Sequence, residues 1–138
     1  MSKSLSSSQT ALLGRMRNAI LATTGPHGSP HLAPVWYLWD GEAVRISTLR
    51  TTQKVAEILR DSRVALCVDD QVAGEYLTIY GVARVVDNQE VAQLTRPLLA
   101  RYHHPDEASA RWSRIDANHS RVLIFITPLS ITGRTGVK

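Results

Sequence analysis

The chain has 138 residues, of which 43% are hydrophobic and 20% charged, a composition typical of one globular domain. Its formal net charge is +4, and the whole excess lies in residues 1–60. A single cysteine, Cys67, excludes an intramolecular disulfide framework. No apolar run is long enough to span a bilayer, and the serine-rich start lacks the apolar segment of a secretion signal. We therefore expect a cytoplasmic protein with no membrane partner.

The first half of the chain predicts two helices and three strands. Residues 1–8 are expected to be frayed. The predicted elements are a helix over 8–16, strands over 19–23, 30–39 and 43–48, and a helix over 52–60. Asp40-Gly41 is typical of a type I′ hairpin turn between the second and third strands. The last of these helices has Val55, Ile58 and Leu59 on one apolar face, which should pack against the sheet.

The second half adds three strands and two helices, which are strands over 63–68, 76–86 and 122–131 and helices over 88–102 and 106–115. Gly81 predicts a bulge or a close backbone approach in the long strand. Pro97 should kink its helix or mark a restart. Six strands with helices inserted between some of them indicate one mainly β domain over 1–138. Its expected architecture is a six-stranded antiparallel barrel rather than an alternating βαβ sheet.

The second predicted strand is apolar on both faces. Its even positions are Leu32, Pro34, Trp36 and Leu38, and its odd positions are Ala33, Val35, Tyr37 and Trp39. One face can fill the barrel, whereas the other must be covered from outside. A second copy of the chain is the simplest cover, so the pattern predicts a homodimer.

Residues 44–54 join the end of a strand to the start of an amphipathic helix, which predicts a phosphate cradle. The first turn of a helix offers unpaired backbone N–H groups and the positive end of the helix dipole. Hydroxyl groups come from Ser47, Thr48, Thr51 and Thr52, and positive charge comes from Arg50 and Lys54. In the structural alternative, Thr51 caps the helix and the two cations are solvated. The basic excess of residues 1–60 favours an anionic partner.

Several short segments follow one another at a characteristic spacing. They are Ala19-Ile20-Leu21-Ala22-Thr23, Gly28-Ser29-Pro30-His31, Pro34-Val35-Trp36-Tyr37, Asp40-Gly41, Ile46-Ser47-Thr48, Lys54 and residues 59–66. Together they resemble the pyridoxamine 5′-phosphate oxidase-like split β-barrel family. Within that family, the chain is most similar to the small flavin- or deazaflavin-dependent oxidoreductases. The resemblance is densest over residues 19–70.

This resemblance implies a homodimer with two cofactor sites at the subunit interface. It implies that the cofactor phosphate binds at Ser47, Thr48, Arg50, Thr52 and Lys54, with Gln53 in the same turn. The tricyclic ring would lie along the backbone of Pro34, Val35 and Trp36. Relatives often have Asn or a basic residue three positions after the matched lysine, where this chain has Glu57. We expect that carboxylate to pair with Arg60 or to point outward.

The implied function is hydride transfer between bound deazaflavin F420 and a planar, electron-poor small molecule such as a quinone, a nitro compound or a bilin. FMN is the alternative cofactor, because both carry a phosphate on a ribityl chain. A module that sequesters a flavin or a tetrapyrrole without turnover is the alternative from another class. The cofactor carries the chemistry in such enzymes, so no catalytic side chain is predicted.

Other functional classes find little support in the sequence. It has no nucleophile elbow, no Gly-rich nucleotide loop and no histidine pair at metal-ligand spacing, so no metal site is predicted. Aromatic residues make up only 6% of the chain and do not alternate with a basic stripe, which argues against binding of RNA or DNA.

Overall fold

The computed structural model describes residues 2–136, which form seven strands and four helices. The elements are α1 (Ser7–Arg15), β1 (Ala19–Thr24), β2 (Pro30–Val35), β3 (Leu38–Trp39), β4 (Val44–Leu49), α2 (Gln53–Arg60), β5 (Arg63–Asp70), β6 (Glu75–Val86), α3 (Val91–Tyr102), α4 (Pro105–Asn118) and β7 (Arg121–Arg134). Among these residues, no helix is both long enough and apolar enough to cross a bilayer.

All seven described strands belong to one antiparallel sheet in the order β2-β1-β5-β6-β7-β4-β3. The two edge strands, β2 and β3, follow each other in the sequence and are joined only by Trp36 and Tyr37. The sheet therefore curls almost into a barrel and stays split between these edges. The mainly β, split-barrel prediction is confirmed, with seven strands rather than six.

The additional strand arises because the predicted strand over 30–39 is broken at the split. β2 pairs with β1, and β3 pairs with β4, so Tyr37 has no strand partner. Its backbone N–H instead donates to the hydroxyl of Tyr102 at 3.0 Å, and the same hydroxyl lies 3.0 Å from the carbonyl oxygen of Tyr37. A side chain of α3 thus replaces the missing strand, because a buried backbone group needs a partner.

The barrel interior is filled by alternate residues of the strands. Its fully buried side chains include Leu21, Tyr37, Ile46, Leu66, Leu77, Ile79, Ile124 and Ile126. Each buried aliphatic side chain contributes about 1.5–3 kcal/mol through removal of apolar surface from water. Leu12 and Leu13 of α1 pack into the same core.

Helix α1 begins inside the segment 1–8 that we expected to be frayed. Met1 lies outside the described residues. The hydroxyl of Ser6 accepts a hydrogen bond from the backbone N–H of Gln9 at 3.2 Å, and the Gln9 side chain accepts one from the N–H of Ser6 at 2.8 Å. This reciprocal capping box satisfies two otherwise unpaired donors. Leu5 also packs against the core, so regular structure starts earlier than the serine-rich composition suggested.

Two local predictions concern glycines. At Gly81 the β6–β7 register shifts, and a Cβ atom would overlap the carbonyl oxygen of Thr127, which confirms the predicted bulge and close approach. The hairpin prediction was right in place but wrong in type. Only Gly41 has a positive φ, at 97°, because the turn is centred on Gly41 and Glu42 while Asp40 accepts two backbone hydrogen bonds. A type I′ turn requires a positive φ at both central residues, which this turn does not have.

Candidate functional site

The fold brings part of the predicted phosphate cradle and the predicted ring-binding residues into one cavity of about 380 Å³. This cavity is lined by Asn18, Pro34, Val35, Trp36, Ser47 and Lys54. The end of β2, the middle of β4 and the first turn of α2 each supply a part of the lining. Asn18, just before β1, was not predicted.

Lys54 is the half-buried cation of this cavity. Its Nζ donates to the hydroxyl of Thr48 at 3.3 Å, and within residues 2–136 it forms no ion pair with a carboxylate. Burial, and secondarily the positive charge of Arg121, lowers the pKa of Lys54. An anionic ligand would stabilise the charged form of Lys54, because it would supply the negative charge that no described carboxylate provides.

The start of α2 lacks a side-chain cap. Thr52 has the extended backbone of an N-cap residue, but its hydroxyl donates to the carbonyl oxygen of Leu49 at 3.0 Å and accepts from no helix N–H. The structural alternative, in which Thr51 caps the helix, is therefore wrong. An uncapped first turn beside Lys54 has the backbone donors and the dipole that favour an anion.

Four of the predicted binding residues, Thr48, Arg50, Thr52 and Gln53, do not line this cavity. The guanidinium of Arg50 pairs with Asp87 and donates to the carbonyl oxygen of His119 at 2.6 Å, and it borders a different depression. Gln53 donates through its side-chain amide to Glu57 at 2.9 Å. Thr48 and Thr52 lie beside Lys54, with their hydroxyl oxygens 3.3 Å apart.

Glu57 neither pairs with Arg60 nor points outward, so that expectation was wrong. Its side chain is only 1% exposed and accepts hydrogen bonds from the Thr23 hydroxyl at 2.7 Å, the His31 Nδ1 at 2.7 Å and the Gln53 amide at 2.9 Å. These bonds, chiefly that of Thr23, lower the pKa of Glu57 to about 2. The carboxylate thereby ties α2 to β1 and β2 and fixes the turn that carries the cradle.

The buried face of α2 also differs from its apolar pattern. Val55 and Ile58 are buried as predicted, but Leu59 is 71% exposed and Glu57 takes its place. Apolar periodicity could not show this, because the polar partners Thr23 and His31 lie on strands far away in the sequence.

A second cavity of about 240 Å³ shares Trp36 and Ser47 with the first and lies against the α3–α4 hairpin. Its remaining lining residues are Leu98, Leu99, His103, Arg111, Arg114, Ile115, Asn118, Ser120 and Arg121. None of them was predicted as a site residue. The signal available was the spacing of Arg111, Arg114, Ile115 and Asn118, which places them on one face of a helix.

Trp36 stands between the two cavities and is held by α3. Its ring is stacked on that of Tyr102, with centroids 4.6 Å apart and planes 1° from parallel. The ring of His103 meets it edge-on at 5.5 Å. The hydroxyl of Tyr102 also lies 2.7 Å from the carbonyl oxygen of Arg17, so the contact extends to the loop before β1.

Of the cations in residues 1–60, only Lys54 lines the two cavities. Three other cations of residues 1–60 form ion pairs with carboxylates, namely Arg15, Arg45 and Arg50. Within the described residues, the cations that line the two cavities without a carboxylate partner are Lys54, Arg114 and Arg121. Two of these come from the second half of the chain, whose net charge is zero.

A sheet split between β2 and β3, with a lysine-bearing helix start beside the split, defines a member of the split β-barrel class. The family model for pyridoxamine 5′-phosphate oxidase matches residues 8–134. The chain therefore belongs to the pyridoxamine 5′-phosphate oxidase family, as its sequence motifs suggested.

Solved structures agree with this assignment. A conserved hypothetical protein, Rv2991 from Mycobacterium tuberculosis, is 26% identical with a TM-score of 0.81, over 95% of this chain and 85% of its own. An F420 reductase is 26% identical with a TM-score of 0.73, over 93% of this chain and 98% of its own. General stress protein 26 from Bacillus anthracis shares the fold at 19% identity and a TM-score of 0.69, over 94% and 92% of the two chains. No curated protein matches the sequence.

Proposed function

We propose that this protein is an oxidoreductase that binds the deazaflavin F420 and transfers a hydride between it and a planar, electron-poor small molecule. The observation that carries the proposal is Lys54, which is half-buried, lacks a carboxylate partner within residues 2–136, and shares a cavity with Pro34, Val35 and Trp36. Similarity to an F420 reductase over nearly the whole chain supports this cofactor over FMN.

The residues present fit a ribityl phosphate. The Nζ of Lys54, the hydroxyl of Ser47 and the uncapped first turn of α2 would hold the phosphate, with Thr48 orienting the lysine. A charge-assisted hydrogen bond of this kind contributes about 1.5–3 kcal/mol, and partial burial strengthens it by lowering the local dielectric.

The end of β2 would provide the flat wall for the tricyclic ring. Pro34 and Trp36 line the cavity there, and stacking on Tyr102 fixes the indole in one orientation. When bound and reduced, the cofactor supplies the hydride, so the protein needs only to position the partners and exclude water.

The homodimer is part of the proposal, and the outer face of the sheet supports it. Side chains pointing away from the barrel on β2, β1, β5 and β6 form one apolar surface, which we call the outer patch, comprising Ile20, Ala22, Leu32, Ala65, Cys67, Tyr80 and Val82. They are cross-strand neighbours, since Ala22 is paired with both Leu32 and Ala65, and Ala65 with Tyr80. Leu32 is 63% exposed and Tyr80 47% exposed. A contiguous apolar patch of this kind is typical of a subunit interface.

Titration of the purified protein with F420 and with FMN tests the proposal. F420 should raise the melting temperature, as expected from about 2.7 kcal/mol at a hundredfold excess over the dissociation constant. Lys54→Gln should weaken binding about tenfold or more. Lys3→Gln removes the same charge from an exposed position and should leave affinity unchanged.

Turnover assays with a quinone or a nitro compound and reduced cofactor complete the test. Steady turnover supports an enzyme, whereas tight binding without turnover would indicate the sequestering module. Stabilisation by FMN alone would replace F420 with FMN. Absence of binding by either cofactor would refute the proposal.

A further inference from the structure

The cavity against the α3–α4 hairpin, defined above by its lining residues, combines an apolar floor with a basic wall. Leu98, Leu99 and Ile115 form the floor, next to the ring of Trp36. Arg111, Arg114 and Arg121 supply the positive charge. None of the lining residues is acidic.

Two of these arginines have no carboxylate partner among the described residues. Arg121 is half-buried, Arg114 is exposed at the same cavity, and within residues 2–136 neither forms an ion pair. Arg111 pairs with Glu107 at 2.7 Å, one helical turn earlier and outside the lining. Burial and the charge of Arg111 lower the pKa of Arg121, and the same two causes lower that of His103.

The position of Arg111, Arg114 and Asn118 on one face of α4 has a cost. The cost comes from Arg111 and Arg114, whose like charges lie one turn apart and repel each other. An anionic ligand removes this repulsion and satisfies the fixed fork of donors on each guanidinium.

We propose that this cavity binds the carboxylate of the substrate, so that the electron-poor acceptor is an aromatic acid with a planar apolar body. The inference rests on the proposed function and names the substrate class of that site. Its volume of about 240 Å³ is enough for a single-ring acid, since an apolar cavity of about 150 Å³ already holds a benzene ring. Trp36 and Ser47 border both cavities, so an acid held here lies next to the ring-binding wall.

Paired probes test the inference without any cofactor. 4-Nitrobenzoate and 4-nitrobenzamide have nearly the same shape and differ in charge, and their binding to the unloaded protein is measured by calorimetry and by quenching of tryptophan fluorescence. The wild-type protein should bind the carboxylate at least about tenfold more tightly than the amide. Arg114→Gln and Arg121→Gln should each remove most of that preference.

Two further variants act as controls. Arg96→Gln removes the same charge from α3, where the guanidinium lies over the Trp112 ring outside this cavity, and it should keep the preference. Lys54→Gln should reduce the preference less than Arg114→Gln or Arg121→Gln does, because Lys54 interacts with the charge of Arg121 but does not line this cavity. Equal affinity for the two probes would overturn the inference. A preference lost in Lys54→Gln but kept in Arg114→Gln would also overturn it, by placing the carboxylate in the cradle.

Cofactor titration of the same samples distinguishes a failure of the proposed function from a failure of the proposed substrate class. If F420 and FMN both fail to bind while the carboxylate preference follows Arg114 and Arg121, the proposed function fails and the anion site stands. If a cofactor binds with unchanged affinity to Arg114→Gln and the wild-type protein shows no preference for the acid, the substrate class is wrong and the proposed function stands.

Discussion

Glu57→Gln isolates the buried carboxylate that ties α2 to the barrel. The substitution keeps the volume and removes the charge that now accepts hydrogen bonds from Thr23, His31 and Gln53. A hydrogen bond to a charged acceptor contributes about 1.5–3 kcal/mol and a neutral one about 0.5–1.5, so three bonds together lose roughly 3–4.5 kcal/mol. In a domain of this size, that loss lowers the melting temperature by roughly 10 °C.

Urea denaturation and thermal unfolding measure the loss directly. Glu42→Gln is the matched control, because it removes the same charge from a residue that is exposed in the β3–β4 turn. Cofactor affinity should also fall in Glu57→Gln, since the turn carrying Lys54 loses its anchor. If Glu57→Gln unfolds at the same urea concentration as Glu42→Gln, the proposed anchoring role is refuted.

The same pair of variants predicts a pH effect. Because the folded state lowers the pKa of Glu57 from 4.5 to about 2, the ionised carboxylate stabilises the fold fully above pH 4.5. This contribution is lost as the pH falls from 4.5 towards 2. Over that range the wild-type protein should lose stability more steeply than Glu57→Gln, while Glu42→Gln should follow the wild type.

Three further substitutions test the fold and the assembly. Leu32→Asp places a charge in the outer patch and should convert a dimer into a monomer in analytical ultracentrifugation; a wild-type monomer would contradict the interface. Tyr102→Phe removes the hydroxyl that contacts the backbone N–H and carbonyl of Tyr37. The free energy of unfolding in urea should fall by about 1–3 kcal/mol, and the fluorescence of Trp36 should change. Gly81→Ala should destabilise by more than 1 kcal/mol, because its Cβ overlaps the carbonyl of Thr127; unchanged stability would show that the β6–β7 bulge can open.

The elements set by local patterns could be predicted from the sequence. The apolar run of β5, the turn glycine at Gly41 and the helical spacing over α3 each depend on residues close together in the chain. The break at Trp36 and Tyr37 could not be predicted, because it follows from pairing with β1 on one side and β4 on the other.

The candidate site also combines residues that local sequence could identify with residues that only packing brings in. Pro34, Ser47 and Lys54 were found because a strand end and a helix start have recognisable sequences. Arg114 and Arg121 were missed because the cavity forms only when α4 packs on α3 and α3 packs on β4 and β7. Arg50 was assigned by its place in the sequence, yet Asp87, far along the chain, turns it away.

The cradle itself is tested most directly by comparing each cofactor with its phosphate-free form. Affinities of FMN and riboflavin, and of the ribityl deazaflavin with and without a 5′-phosphate, are measured for the wild-type protein, Lys54→Gln and Lys3→Gln. The wild type and Lys3→Gln should prefer the phosphorylated form of the natural cofactor about tenfold or more, and Lys54→Gln should lose most of that preference. Equal affinity for both forms, or a preference that survives in Lys54→Gln, would contradict the account.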